Sequence, residues 1–154
     1  MNKMIYDFKT HSLYYENGEL GFPTFSLAID TLELVYELAT GKLVRIQGFF
    51  PIVNAVASDI NLPEWREKDY QLNNIDLSAC RQNEVYDLIK KIPESKKYFE
   101  NISIKFDKNK GIIQVGEQMK NEESVIRPNN HFLCGLDSGL NLKCLYIIPT
   151  VFTV

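Results

Sequence analysis

Leu32, Leu34, Tyr36 and Leu38 alternate with Glu33, Val35 and Glu37, giving one apolar and one largely charged face. A half-buried strand needs this period of two, because successive side chains point to opposite faces of a sheet. Ala39-Thr40-Gly41-Lys42 then reads as a turn, with Gly41 free to take positive φ, and a second strand runs through Val44 and Ile46 to Pro51. The same grammar predicts a strand through Phe25, Leu27 and Ile29. It also predicts hairpins turning at Asn17-Gly18, at residues 107–111 and at residues 137–139. Gly48, Gly116 and Gly135 are candidate bulges.

Two stretches break the pattern. Residues 54–74 read as irregular, and residues 118–130 as a polar loop. One helix is predicted over about 79–92: Val85, Leu88, Ile89 and Ile92 fall at i, i+3, i+4 and i+7, with Ser78 as N-cap, Lys90 and Lys91 near the C-terminal end and Pro93 as the stop. These elements predict a single α+β domain over 1–154: an antiparallel, hairpin-rich curved sheet or half-open barrel with one main helix.

Composition changes this picture little. The chain has 154 residues, 45% of them hydrophobic and 24% charged, with 9 Phe and 8 Tyr, an ordinary globular balance. The formal net charge of −3 provides no positive field to gather nucleic acid or an anionic membrane. No signal-peptide pattern and no membrane-length apolar run is visible, so the expectation is a cytoplasmic protein.

Catalytic and metal motifs are sparse. His131-x-x-Cys134 with Cys144 is the best metal or disulfide constellation, and a three-residue hairpin loop would set the two cysteines opposite each other on one face. The competing assignment makes both of them small core residues, and neither a metal nor a cofactor is expected. His11 and His131 could serve as base and acid of a metal-independent hydrolase only if they met in space. A curved sheet rich in aromatics could also cup an apolar small molecule, with Tyr36, Phe49 and Phe106 as its lining. The candidate partner-binding residues are Asp59, Glu64, Trp65, Glu67, Asp69 and Tyr70, carboxylates around two aromatic rings in the longest irregular region. Glu16, Glu19, Glu33 and Glu37 would extend that acidic field, while Trp65 could instead cap the core.

Residues 32–51 and 132–149 read as apolar strand, turn, apolar strand, and the first of them carries Thr40-Gly41-Lys42 and Gly48-Phe49-Phe50-Pro51. In type this resembles the immunity proteins of bacterial polymorphic and contact-dependent growth-inhibition toxins. The resemblance implies a protein without catalysis that binds a cognate toxin domain, often a nuclease, and blocks its active site. An acidic surface would suit a basic nuclease by standing in for the phosphates of its substrate.

Overall fold

A computed structural model describes residues 2–154 as a β-rich α+β chain. The strands form two separate seven-stranded sheets where the sequence predicts one curved sheet or half-open barrel, and neither sheet closes into a barrel. The first half supplies β1 (Met4–Asp7), β2 (Ser12–Tyr15), β3 (Thr24–Ile29), β4 (Leu32–Glu37) and β5 (Leu43–Phe49). The second half supplies β9 (Ile104–Asp107), β10 (Ile112–Gly116), β11 (Ser124–Asn129), β12 (Phe132–Leu136) and β13 (Leu142–Ile147). The first four strands of the two sets start one hundred positions apart, at 4 and 104, 12 and 112, 24 and 124, 32 and 132. The two sets also pair in the same order, β1-β2-β5-β4-β3 and β9-β10-β13-β12-β11. The chain is therefore an internal structural duplication.

Turn chemistry repeats with the strands. The carboxylate of Asp7 accepts the Lys9 N–H at 2.8 Å, and that of Asp107 accepts the Asn109 and Lys110 N–H groups at 3.1 and 3.0 Å. Each turn ends on a left-handed residue, His11 at φ 53° and Gly111 at φ 68°. Local side-chain acceptors of this kind favour tight turns over continued strand.

Between the halves lie β6 (Val56–Ala57), β7 (Arg66–Glu67), β8 (Val85–Asp87) and the one-turn helices α1 (Leu88–Lys91) and α2 (Lys96–Phe99), and β14 (Val151–Thr153) follows β13. β14 and β8 border the first sheet, and β6 and β7 border the second. All four pair in parallel and are two or three residues long. β6, which follows the first unit, pairs with β9 of the second; β14, which follows the second unit, pairs with β1 of the first. Each unit thus lends the other an edge. Such short strands leave little ladder for a foreign strand to extend.

The inner faces of both sheets share one core. Tyr6, Phe25, Leu34, Tyr36 and Ile46 belong to the same buried cluster as Phe132, Cys134, Leu145 and Ile147. The outer faces differ. Residues 58–65 form a strap across the outer face of the second sheet, where Ile60 and Leu62 pack with Ile112, Val125, Leu133, Cys144 and Tyr146. Six strand spacings of about 4.8 Å make the sheet about 29 Å wide, and nine steps of about 3.3 Å from Ala57 to Arg66 cover about 30 Å. The strap must therefore run almost fully extended, which sets Ile60 and Leu62, two residues apart, on the side that faces the sheet. β12 and β13, covered on both sides, are buried at every position, whereas β4 in the first sheet leaves Glu33 and Glu37 half-buried and departs from alternation only at the buried Val35.

Several predicted elements are corrected. Asn17-Gly18 does not close a hairpin, because β2 already has β1 on one side and β5 on the other. Residues 118–130 are not all loop: they contain β11, whose register shifts between Ile126 and Asn129, around Pro128. The helix over 79–92 shrinks to α1. Val85, Tyr86 and Asp87 pair instead with β3, and Asp87, not Ser78, caps the helix by accepting the Ile89 and Lys90 N–H groups at 2.9 and 3.3 Å. Cys144 lies opposite Gly135 and Cys134 opposite Leu145, a one-residue offset that sends the two thiols to opposite faces. Both are free and buried, and burial pushes the Cys144 thiol up to about 12.

Candidate functional site

The six residues nominated from sequence do not share one surface. Asp59 follows β6, at one edge of the second sheet, where it pairs with Lys110 at 2.7 Å. Glu64, Trp65, Glu67 and Asp69 lie at or beside β7, at the opposite edge. Tyr70 is buried: its carbonyl accepts the Leu43 N–H at 2.9 Å, and burial raises its phenol pKa.

Around β7 the exposed groups interlock. Trp65 keeps 44% of its surface exposed, so it is no core cap. The Arg127 guanidinium lies 5.7 Å from the Trp65 ring centroid and donates to Glu67 Oε1 at 3.0 Å and to Asn130 Oδ1 at 3.1 Å. An aromatic ring, a guanidinium and a carboxylate are thereby held in a fixed relation at the sheet edge. Two shallow clefts flank them. One, of about 380 Å³, is bounded by Glu67, Lys68, Asp69 and Arg127; the other, of about 180 Å³, by Arg66, Tyr70, Ile126 and Leu140. Asp69 pairs with Lys42 at 3.5 Å. With the four cations Lys42, Arg66, Lys68 and Arg127 set against the three carboxylates of Glu64, Glu67 and Asp69, the region is not the acidic field the sequence predicts. Glu33 and Glu37 sit on β4 of the other sheet, and Glu16 directly follows β2 there.

The two histidines serve different turns. His11 ends the β1–β2 turn and packs edge-on to Phe49 at 6.4 Å, while His131 precedes β12 and packs edge-on to Tyr15 at 5.5 Å. Burial lowers the His131 pKa. The expected aromatic cup also fails to assemble: Tyr36 is fully buried against Phe25, Phe49 is 52% exposed, and of the three only Phe106 lines a cleft.

Sequence reasoning missed a polar network in a cleft of about 480 Å³. Lys143, 1% exposed, pairs with Glu123, and the Tyr98 hydroxyl donates to Asp137 Oδ2 at 2.6 Å. Asp137 also accepts the Gly139 and Asn141 N–H groups, each at 2.9 Å. Burial works to raise both carboxyls, but the Lys143 bond at Glu123 and the Tyr98 bond at Asp137 hold them below their ordinary values. The arrangement ties α2 to the β12–β13 turn and the preceding loop. A lysine inside the apolar run Leu142-Lys143-Cys144-Leu145 was the available signal.

Among the described residues, no three His, Cys, Asp or Glu side chains gather as metal ligands, and no helix is long and apolar enough to cross a membrane. No protein-family model matches the chain, and no curated protein matches it.

Proposed function

We propose that this chain is a non-catalytic binding protein of the immunity type, which docks a cognate toxin domain through the β7 edge and occludes its active site. The observation that carries this reading is the exposed Trp65 ring with Arg127 held between it and Glu67. Tryptophan and arginine are the side chains in which interface binding energy concentrates, and fixing them before contact reduces the entropy lost on association. The flanking clefts receive side chains of the partner, and the paired charges around them set orientation more than affinity. A basic nuclease is the toxin class that the net charge of −3 would steer toward the protein.

The test is co-expression with a toxin domain, sought first in the reading frame directly upstream, followed by affinity measurement on the purified pair. Trp65→Ala should weaken the complex by about 30-fold or more, the effect of losing a hot-spot side chain, with an unchanged melting temperature. Full protection from the toxin and unaltered affinity in that variant would place the interface elsewhere, and absence of any complex would reject the function.

A further inference from the structure

The pseudo-twofold relation between the halves breaks at one place in a way that creates a binding site. Tyr6 and Phe106 occupy equivalent positions on β1 and β9, one hundred residues apart. The Tyr6 hydroxyl donates to the Phe50 carbonyl at 2.6 Å and accepts the Ile52 N–H at 3.2 Å, sealing its own surroundings. Phe106 has no hydroxyl and faces an open cleft of about 640 Å³, inside the size range of small-molecule sites. Phe8 and Phe152 complete an aromatic wall with it: ring centroids lie 6.4 Å apart for Phe8–Phe106, 6.0 Å for Phe8–Phe152 and 5.7 Å for Phe106–Phe152. The three rings come from three elements, the β1–β2 turn, β9 and β14. Ile52, Val53 and Val154 also line the cleft; Ile52 is buried, whereas Val53 and Val154 are exposed.

Position 108 is the equivalent of position 8, and both line the cleft, one as phenylalanine and one as lysine. Lys108 makes no ion pair among the described residues. Among the lining side chains the cavity therefore has an apolar body and one cation, an asymmetry that favours a single orientation of an amphipathic anion. A lone ammonium, with no fork of donors beside it, suits a monoanionic head group. We infer that this cleft binds a small amphipathic carboxylate, its hydrocarbon part against Phe8, Phe106 and Phe152 and its carboxylate on Lys108. The site is distinct from the β7 edge, so neither its success nor its failure bears on the docking reading.

The experiment titrates the full chain with decanoate and, separately, with the uncharged 1-decanol, following ¹⁵N amide shifts. The expected result is saturable one-to-one binding of decanoate, with shifts centred on residues 8, 52, 106 and 152. Lys108→Gln should weaken decanoate about three- to fivefold, the scale of one exposed charge contact, and leave decanol unchanged. Lys108 is on the surface, so the variant keeps the fold. No saturable binding, shifts located elsewhere, or equal affinity for the two probes in both proteins would overturn the assignment. So would ligand-free shifts at these residues that grow with protein concentration, because a second copy of the chain would then be the occupant.

Discussion

Gly48 holds φ at +125°, and a Cβ built there would run into the Thr31 carbonyl oxygen. Two separate costs coincide at this residue: a backbone conformation that side chains rarely adopt, and contact with a backbone atom that cannot move aside without unpairing β4 from β5. Gly48→Ala should destabilise the protein by about 2–4 kcal/mol, readable as a fall in the urea midpoint. Gly18 has open space around its Cβ position, so Gly18→Ala should stay within about 0.5 kcal/mol of wild type. Equal effects of the two changes would show that the Gly48 geometry is relaxed. At this scale sequence reasoning had partial reach. It marked Gly48 as special from its place in a strand but could not find the Thr31 oxygen, which a different strand connection brings there. Tyr70 failed for the same reason, since an aromatic in a charged loop looks exposed until the Leu43 backbone is seen beneath it.

Among the elements, the strap has the least local support. It crosses the second sheet on the apolar side chains of Ile60 and Leu62 and is pinned near its start, where the Ser58 N–H donates to the Phe106 carbonyl at 3.1 Å, the Ile60 N–H donates to Asp107 Oδ2 at 2.9 Å and the Ile60 carbonyl accepts the Lys110 ammonium at 3.0 Å. The Ile60 N–H bond, with the Lys110 N–H and the Lys110 ammonium, holds the Asp107 carboxyl below the usual carboxylate range. A carboxyl whose folded pKa is depressed contributes stability that is present above its unfolded value, near 4, and is lost as pH falls through the folded value. Stability should therefore drop on acidification below about pH 4, and the protection of the Ile60 amide against hydrogen exchange, relative to its intrinsic rate at each pH, should fall in that window. Asp107→Asn should show fast exchange at Ile60 already at neutral pH, with a flatter acid limb; an unchanged Ile60 rate would mean that the apolar contacts, the Ser58 bond and the Lys110 bonds hold the strap without the Asp107 carboxylate. The failure of the predicted helix belongs to this scale too. The stripe of Val85, Leu88, Ile89 and Ile92 was genuine, but β3 offered an unpaired edge, and three ladder pairs with Val85–Asp87 outcompeted a helix that would have begun with exposed Val85.

For the whole molecule, the exchanged edges and the shared inner core make the halves interdependent. The unit of β1–β5 lacks one border without β14, and the unit of β9–β13 lacks one without β6. Equilibrium unfolding in urea should thus be a single transition, with coincident midpoints for Tyr36 in the first unit and Cys134 in the second. Two separated transitions would show that each unit is stable without its partner.

The alternation of apolar and polar positions was enough to determine that this is a hairpin-rich α+β protein, and it located most of the strands and the tight turns at Gly41 and Gly111. These are local matters, set by side-chain period and by which residues tolerate positive φ. It also contained the near-continuous apolar runs of β12 and β13, broken only by Lys143, a sign of strands covered on both faces. What covers them was decided only in three dimensions, because burial by a strap depends on which edges β6 and β7 reach, and strand order leaves no trace in periodicity. The duplication was hidden for a related reason: a sheet constrains the face on which an apolar residue sits more than its identity, so Leu34 and Cys134, or Tyr6 and Phe106, fill the same place without looking alike. The candidate sites followed the same division. Trp65 and its carboxylates were visible in the chain, whereas Arg127 reached the Trp65 ring, and Phe8, Phe106 and Phe152 met one another, only because folding brings together residues that are distant in sequence.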